Sequence, residues 1–308
     1  MAAGARKMRA MPRVAVNGIE LEYETFGDRS GPPLFLIMGL GAQMIFWDDE
    51  LCATFAERGF FVARFDNRDV GLSTQLDSAG VPNVLEAMQA AAAGKPVRAP
   101  YTLADMADDT AALMTALEIE RAHVVGASMG GMIAQTLAIR HPTRLLSMTS
   151  IMSTTGDPSL PPASPEAMRV LLTPPPDDRE GNIARGLEAW RVIGSPGFPL
   201  DEDRMRALFG FAFDRGYHPA GVARQMAAIM ASGDRTQALR SVMVPTLVIH
   251  GVADPLIRVE AGRATAEAIP GATLLEIEGM GHDLPPGTWL PIIRAIGKHA
   301  AHAVARGH

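Results

Sequence analysis

An α/β architecture is predicted for this 308-residue chain: a mostly parallel sheet of eight strands flanked by helices, with a helical insertion after the sixth strand. Two observations predict it. From about residue 30, short continuous apolar runs alternate with segments whose apolar residues recur at helical intervals. A continuous apolar run suits a strand buried on both faces, and strict alternation of strand and helix suits a parallel sheet covered on both sides. The second observation is a break in that rhythm over residues 153–235, after which it resumes.

The elements follow in order. "RVAV" and "IELEYETFG" flank Asn17-Gly18, a pair that favours a tight turn between two strands. "PPLFLIM" (32–38) is the first strand of the alternating part and runs into the glycine-rich "GLGA". "FWDDELCATFAERG" has helical spacing, and "FFVARFD" (60–66) is the next strand. "YTLADMADDTAALMTALEI" (101–119) reads as a helix with Thr102 as N-cap. The strand "AHVVGAS", the helix "MGGMIAQTLAIRH" and the strand "RLLSMTSIM" (144–152) complete the first half. The pattern returns with the strand "PTLVIHG" (245–251), the helix "RVEAGRATAEAIP", the strand "ATLLEIEG" (272–279) and the helix "PIIRAIGKHAAHAVA". Between the halves, "DPSLPPASPEAM" and "LLTPPPDDREG" are rich in proline and polar residues, and helical pieces such as "NIARGLEAWRVIG" and "VARQMAAIMASG" follow. The expected division is a core of residues 1–152 and 236–308, with a helical cap of residues 153–235 over the carboxyl edge of the sheet. Residues 79–100 form a second, smaller insertion.

Composition narrows the function. Hydrophobic residues are 47% and charged residues 20%, enough for a large core in a soluble globular protein. The formal net charge is −6 with no run of five like charges, which argues against nucleic acid or an anionic membrane surface as partner. There is no stretch of 18 apolar residues, so no membrane span is expected. The basic start lacks the apolar core of a signal peptide, and a cytoplasmic protein is expected. The single cysteine, Cys52, excludes an intrachain disulfide and sits in a helical pattern as a packing residue. No HExxH or paired-cysteine spacing is present, so neither metal nor cofactor is expected. A homodimer is compatible with the sequence, which fixes no oligomeric state.

The chemistry centres on "GASMG" (126–130), where Ser128 stands between two glycines at a strand-to-helix turn. Such a turn either needs small residues only, or holds up a nucleophile. A serine hydroxyl is a poor nucleophile at neutral pH and needs a base, which in turn needs an orienting acid. Of eight histidines, His282 in "EIEGMGHDLPPG" is the one in a late loop at the sheet's carboxyl edge, after a candidate acid. That acid is Asp254 in "VIHGVADPLI", just past a buried strand; Asp234 precedes that strand, and Asp283 adjoins the base and should point away from it. The developing oxyanion needs donors. The Met129 N–H, directly after the serine, is one candidate, and the Leu40 N–H of "MGLG" is the second.

The ordered set "MGLG", "DNRDVGLST", "GASMGG", "HGVADPL" and "GMGHDLP" resembles the α/β-hydrolase fold superfamily over nearly the whole chain. "ARFDNRDVGLST" with "AHVVGASMGG" is most similar to the esterase group that includes aclacinomycin methylesterase. The resemblance implies an acyl-enzyme mechanism with no cofactor. Two departures stand out. Many members have His-Gly where this chain has Met38-Gly39, so the loop must be held by other means, and Asp69 replaces a usual glycine. Asp66, Arg68 and Ser73 are expected to brace their loop rather than touch substrate.

The leading function is therefore a serine carboxylic-ester hydrolase acting on a small-molecule ester, mainly apolar and of short to medium acyl chain, or the methyl ester of a larger hydrophobic acid. Carbon–carbon bond hydrolysis, acyl transfer or perhydrolysis by the same triad is the alternative, and a ligand-binding protein on a hydrolase scaffold is a third. Epoxide hydrolases and haloalkane dehalogenases resemble a chain with aspartate in the nucleophile slot, which Ser128 argues against. Trp190, Phe209, Phe211, Phe213, Tyr217, Met226 and Met230 supply apolar surface in the insertion, where substrate choice should lie.

Overall fold

The computed structural model describes residues 11–174 and 176–305. The first half holds β1 (Arg13–Val16), β2 (Ile19–Phe26), β3 (Pro33–Ile37), α1 (Asp49–Glu57), β4 (Phe61–Phe65), α2 (Val84–Ala92), α3 (Leu103–Ala116), β5 (Ala122–Ala127), α4 (Met129–Arg140) and β6 (Leu145–Ile151). Four helices follow: α5 (Pro165–Leu172), α6 (Arg179–Ile193), α7 (Glu202–Arg215) and α8 (Pro219–Ser232). The short α9 (Thr236–Leu239), β7 (Thr246–Gly251), α10 (Val259–Ala268), β8 (Thr273–Ile277) and α11 (Pro286–Ala305) complete the described chain.

The eight strands form one sheet in the order β1-β2-β4-β3-β5-β6-β7-β8. β1–β2 and β2–β4 are antiparallel, and every later pairing is parallel. Each apolar run feeds both faces, because successive strand side chains point to opposite sides. Phe35, Ile37 and Val124 pack with α3 and α4 on one face. Leu34, Leu36, Val125 and Ile249 pack with α1 and α11 on the other. The register sets Ile37 beside Gly126, Ala127 beside Ile151 and Ile151 beside Ile249, so the carboxyl ends of β3, β5, β6 and β7 lie together.

The predicted strands recur within a residue or two at each end. At the start of α3, the Asp105 carboxylate accepts both the Thr102 N–H (2.7 Å) and its hydroxyl (2.8 Å). Two helices depart from the sequence expectation. Within the proline-rich stretch, Ser164 Oγ accepts the Ala167 N–H at 3.1 Å and Pro165 takes the first helical position, so residues that look like loop punctuation start α5. The last helix begins at Pro286 rather than Pro291, which lies inside it. An interior proline costs about 3 kcal/mol. Burial of Ile292, Ile293 and Ile296 beside it offsets this, at roughly 2 kcal/mol each.

Candidate active site

Ser128 sits between β5 and α4 with φ 56° and ψ −119°. A side chain in the left-handed region is strained, and the surroundings must impose it. They do so by close packing. A Cβ on Gly126 would lie 2.0 Å from the Gly130 carbonyl oxygen, and one on Gly130 would lie 2.1 Å from that of Ile37. Any larger residue at either position would push α4 off the sheet. The Ser128 N–H donates to the Ile151 carbonyl (2.9 Å), and Ser153 Oγ donates to the Ser128 carbonyl (2.8 Å).

The three residues expected to act together are within hydrogen-bond reach. Ser128 Oγ lies 2.9 Å from His282 Nε2, and His282 Nδ1 lies 2.7 Å from Asp254 Oδ2. The carboxylate accepts Nδ1–H, which leaves Nε2 free to accept the serine proton. The other oxygen, Asp254 Oδ1, accepts the Leu256 and Ile257 N–H groups, both at 2.9 Å. Asp254 is 1% exposed, so its charge is shielded from water and its position fixed. His250 Nε2 lies 3.7 Å from the same carboxylate but donates to the Ile257 carbonyl at 2.8 Å. Burial pushes the His250 imidazole below its usual range and keeps it neutral.

His282 is held from the insertion. The His282 N–H donates to the Ile193 carbonyl at 2.7 Å. Ser195 Oγ accepts the Gly281 N–H at 2.9 Å and donates a short hydrogen bond to Asp283. Asp283 thus turns to Ser195, in keeping with the sequence reading, and burial raises its carboxyl above the usual range. Leu40 and Met129 both line the cavity above Ser128, and their N–H groups make no hydrogen bond to other described residues.

The loop of the unusual Met38-Gly39 pair has its own supports. Asn67 Nδ2 donates to the Met38 carbonyl (2.9 Å), Gln225 Oε1 accepts the Gly41 N–H (2.8 Å), and Asp66 Oδ1 accepts the Met44 N–H (2.7 Å). Asp66 also accepts the Leu72 N–H (2.9 Å), Arg68 pairs with Asp109 at 2.6 and 2.8 Å, and Ser73 Oγ donates to the Asp66 carbonyl at 2.6 Å. None of Asp66, Arg68 and Ser73 lines the cavity. Asp69 has φ +68°, which explains a glycine preference there; its carboxylate accepts the Leu76 N–H and two bonds from Arg224. Sequence reasoning missed Asn67, Ser153, Ser195 and Gln225 as supports of this site.

The cavity measures about 1560 Å³ and reaches from Ser128 and His282 into the helices of the insertion. Trp190, Phe209, Phe213, Tyr217 and Met226 line it, whereas Phe211 and Met230 do not. Phe46, Trp190 and Phe209 form an aromatic cluster with centroids 5.2 to 6.0 Å apart. The cavity's cations are engaged. Arg185 donates to the Val170 and Thr173 carbonyls, Arg191 pairs with Glu202, and Arg204 pairs with Asp48. Cys52 lies elsewhere, its thiol pushed up to about 12 by burial, an inert packing residue. Among the described residues, no group of three or more metal-ligating side chains is assembled, and no helix is long and apolar enough to cross a membrane.

Comparison with known proteins agrees with this architecture. The alpha/beta hydrolase fold family matches residues 32–194. A rhodomycin D methylesterase of Streptomyces sp. (strain C5) is 32% identical over 306 residues, covering 92% of this chain and 96% of that protein. Its counterpart in Streptomyces peucetius is 31% identical with the same coverage. The crystal structure of the enol-lactonase from Burkholderia xenovorans LB400 covers 94% of this chain and 100% of its own, with TM-score 0.69 and 24% identity, a likeness of fold. A thermophilic esterase from Thermogutta terrifontis covers 95% of this chain and 97% of its own, with TM-score 0.66 and 25% identity.

Proposed function

Because the chain belongs to the α/β-hydrolase fold family, whose similar members here include methylesterases, we propose that it hydrolyses carboxylic esters with Ser128, His282 and Asp254 as its catalytic triad. The observation that carries this reading is the continuous hydrogen-bonded line from Ser128 Oγ through His282 to the buried Asp254, opening into a large apolar cavity. Ser128 Oγ attacks the ester carbonyl as its proton passes to His282 Nε2. Asp254 stabilises the imidazolium that results. The Leu40 and Met129 N–H groups receive the developing oxyanion. The C–O bond to the alcohol breaks, and His282 returns the proton to the leaving alcohol. Water then attacks the acyl-enzyme by the same path and releases the acid.

The substrate is the methyl ester of a large, mainly apolar acid. Ligand cavities commonly span about 300–1,000 Å³, and this one, near 1560 Å³, exceeds that range. Its aromatic walls suit a fused-ring acyl group, and its cations already have partners, which disfavours a charged one. Residues 153–235 act as the cap that selects the acyl group, over a core of which residues 11–152 and 236–305 are described; positions 1–10 and 306–308 of the expected core lie outside the described residues. The likeness to rhodomycin D methylesterases supports a methyl ester as the bond cleaved.

Two substrate sets test this. Hydrolysis of p-nitrophenyl esters from C2 to C12 and methanol release from methyl esters of fused-ring aromatic acids are measured for wild type and Ser128→Ala. The expected result is turnover of both sets by wild type, higher kcat/KM for the fused-ring methyl esters, and loss of both in the variant. Wild type that labels with a fluorophosphonate yet cleaves no ester would overturn the reading in favour of carbon–carbon bond hydrolysis.

A further inference from the structure

Granted the Ser128 nucleophile and the Leu40 donor proposed above, we infer that Gln225, on α8 of the insertion, is a positioning residue for the oxyanion-binding loop. Residues 39–42 form a β-turn, closed by the Ala42 N–H donating to the Gly39 carbonyl at 3.3 Å. Gly41 has φ +65° and Leu40 is not among the positive-φ residues. Those signs define a type II turn, with glycine at its third position. A type II turn differs from type I by a flip of its central peptide, here the Leu40–Gly41 unit. The Gly41 N–H belongs to that peptide, and it donates to Gln225 Oε1 at 2.8 Å. Accepting that proton therefore selects one of the two turn types.

The acceptor itself is well anchored. Gln225 is 0% exposed, and its Nε2 donates to the Arg68 carbonyl at 2.8 Å. That second bond settles which end of the amide faces Gly41. Packing adds to it: a Cβ on Gly41 would lie 2.9 Å from Val222 on the same helix, and one on Gly221 would lie 1.9 Å from the Asp69 carbonyl oxygen. Arg224, adjacent to Gln225, binds Asp69 at 2.8 and 2.9 Å. Helix α8 thus contacts both the turn that carries Leu40 and the loop of Arg68 and Asp69. With Met38 where a histidine could have braced the loop, Asn67 and Asp66 hold its two ends and the insertion braces its turn.

Without the tether the turn is free to flip its central peptide and to shift as a unit; the Leu40 N–H belongs to the adjacent Gly39–Leu40 peptide, so it is displaced with the Leu40 Cα rather than reversed. The loss falls on transition-state stabilisation and not on substrate binding. Removing one oxyanion donor outright lowers kcat about 10²–10³-fold, and a displaced donor should cost part of that.

Gln225→Leu removes both amide bonds, and Gln225→Glu keeps an acceptor for Gly41. For each, kcat and KM on p-nitrophenyl butyrate are normalised to active sites titrated with a fluorophosphonate. The Ki of a trifluoromethyl ketone, whose hemiketal oxygen occupies the oxyanion site, is measured in parallel. The expected result for Gln225→Leu is a kcat lowered roughly 10- to 100-fold, with KM within about twofold and Ki raised in step with the loss in kcat/KM. Gln225→Glu should recover to within about fivefold of wild type. Unchanged kcat per titrated site in Gln225→Leu would overturn the inference, as would a Ki that does not follow kcat/KM. Should Gln225→Leu yield no titratable sites, Gln225→Glu decides: near-wild-type kcat supports the tether, and a loss of tenfold or more in titrated enzyme overturns it. Ser128→Ala run alongside separates the two claims, because turnover by that variant would refute the triad itself.

Discussion

Replacing the buried pair Asp69–Arg224 tests how the unusual aspartate is accommodated. The two side chains are 0% and 1% exposed and make two bonds, at 2.8 and 2.9 Å. Arg224→Met leaves the Asp69 carboxylate buried without its cation, still held by the Leu76 N–H. Stranding one member of a buried pair costs about 3–5 kcal/mol. Asp69→Gly behaves differently. Arg224 keeps the Gly80 carbonyl (2.9 Å) and the solvent-facing Asp77 (3.1 Å). Relief of the left-handed backbone at residue 69 returns about 1 kcal/mol, so the net loss should be about 1–2 kcal/mol. The double variant strands neither charge, and exchanging a buried pair for apolar groups is often near neutral. It should lie within about 2 kcal/mol of wild type, a coupling of at least about 2 kcal/mol. Urea unfolding of the four proteins, followed by tryptophan fluorescence, measures the cycle. Additive losses, with the double variant as unstable as the sum of the singles, would refute the reasoning.

Three further outcomes follow. Trp190→Ala removes a ring that packs edge-on to Phe209 at 5.2 Å; kcat/KM for fused-ring methyl esters should fall about tenfold or more while p-nitrophenyl acetate changes by less than about twofold. Ser195→Ala takes away the acceptor of the buried Gly281 N–H and the donor to Asp283 on either side of His282; kcat should drop about tenfold with little change in KM, read from steady-state kinetics on a small ester. His123 is buried against Ser147, and burial pushes its pKa down from 6.5 to about 4. The unfolded chain therefore takes up the proton first, and stability falls as pH drops from about 6.5 to about 4, by up to about 3 kcal/mol. In His123→Asn, urea midpoints at pH 7.5 and 5 should lie closer together than in wild type, with a residual slope from His250, which burial also pushes down.

The sheet and the juxtaposition of Ser128, His282 and Asp254 were legible because their signals are local. "LFLI" (34–37) and "AHVVGA" are buried along their full length, which makes a continuous apolar run. Ser128, Asp254 and His282 each follow a strand within a few residues, so element order alone brings them to one edge. The supports of the site were hidden for the opposite reason. Gln225 meets Gly41 across 184 positions and Ser195 meets Asp283 across 88, and neither residue stands in a recognisable local pattern. Helix α5 was obscured because Ser164 and Pro165 serve equally well in a loop and at a helix start. In the insertion, an aromatic residue that packs the cap looks like one that faces the cavity. Phe211 and Phe213 lie two apart on α7, and of the two only Phe213 lines the cavity.

The central claim is that an ester acyl group passes through Ser128. Rapid quenching of the reaction with an excess of p-nitrophenyl ester, followed by intact-mass and peptide analysis, tests it most directly. One acyl adduct per chain on the Ser128 peptide, formed with a matching burst of nitrophenolate and absent from Ser128→Ala, is the predicted result. Undiminished ester turnover by Ser128→Ala, or an acyl group found on another residue, would contradict it.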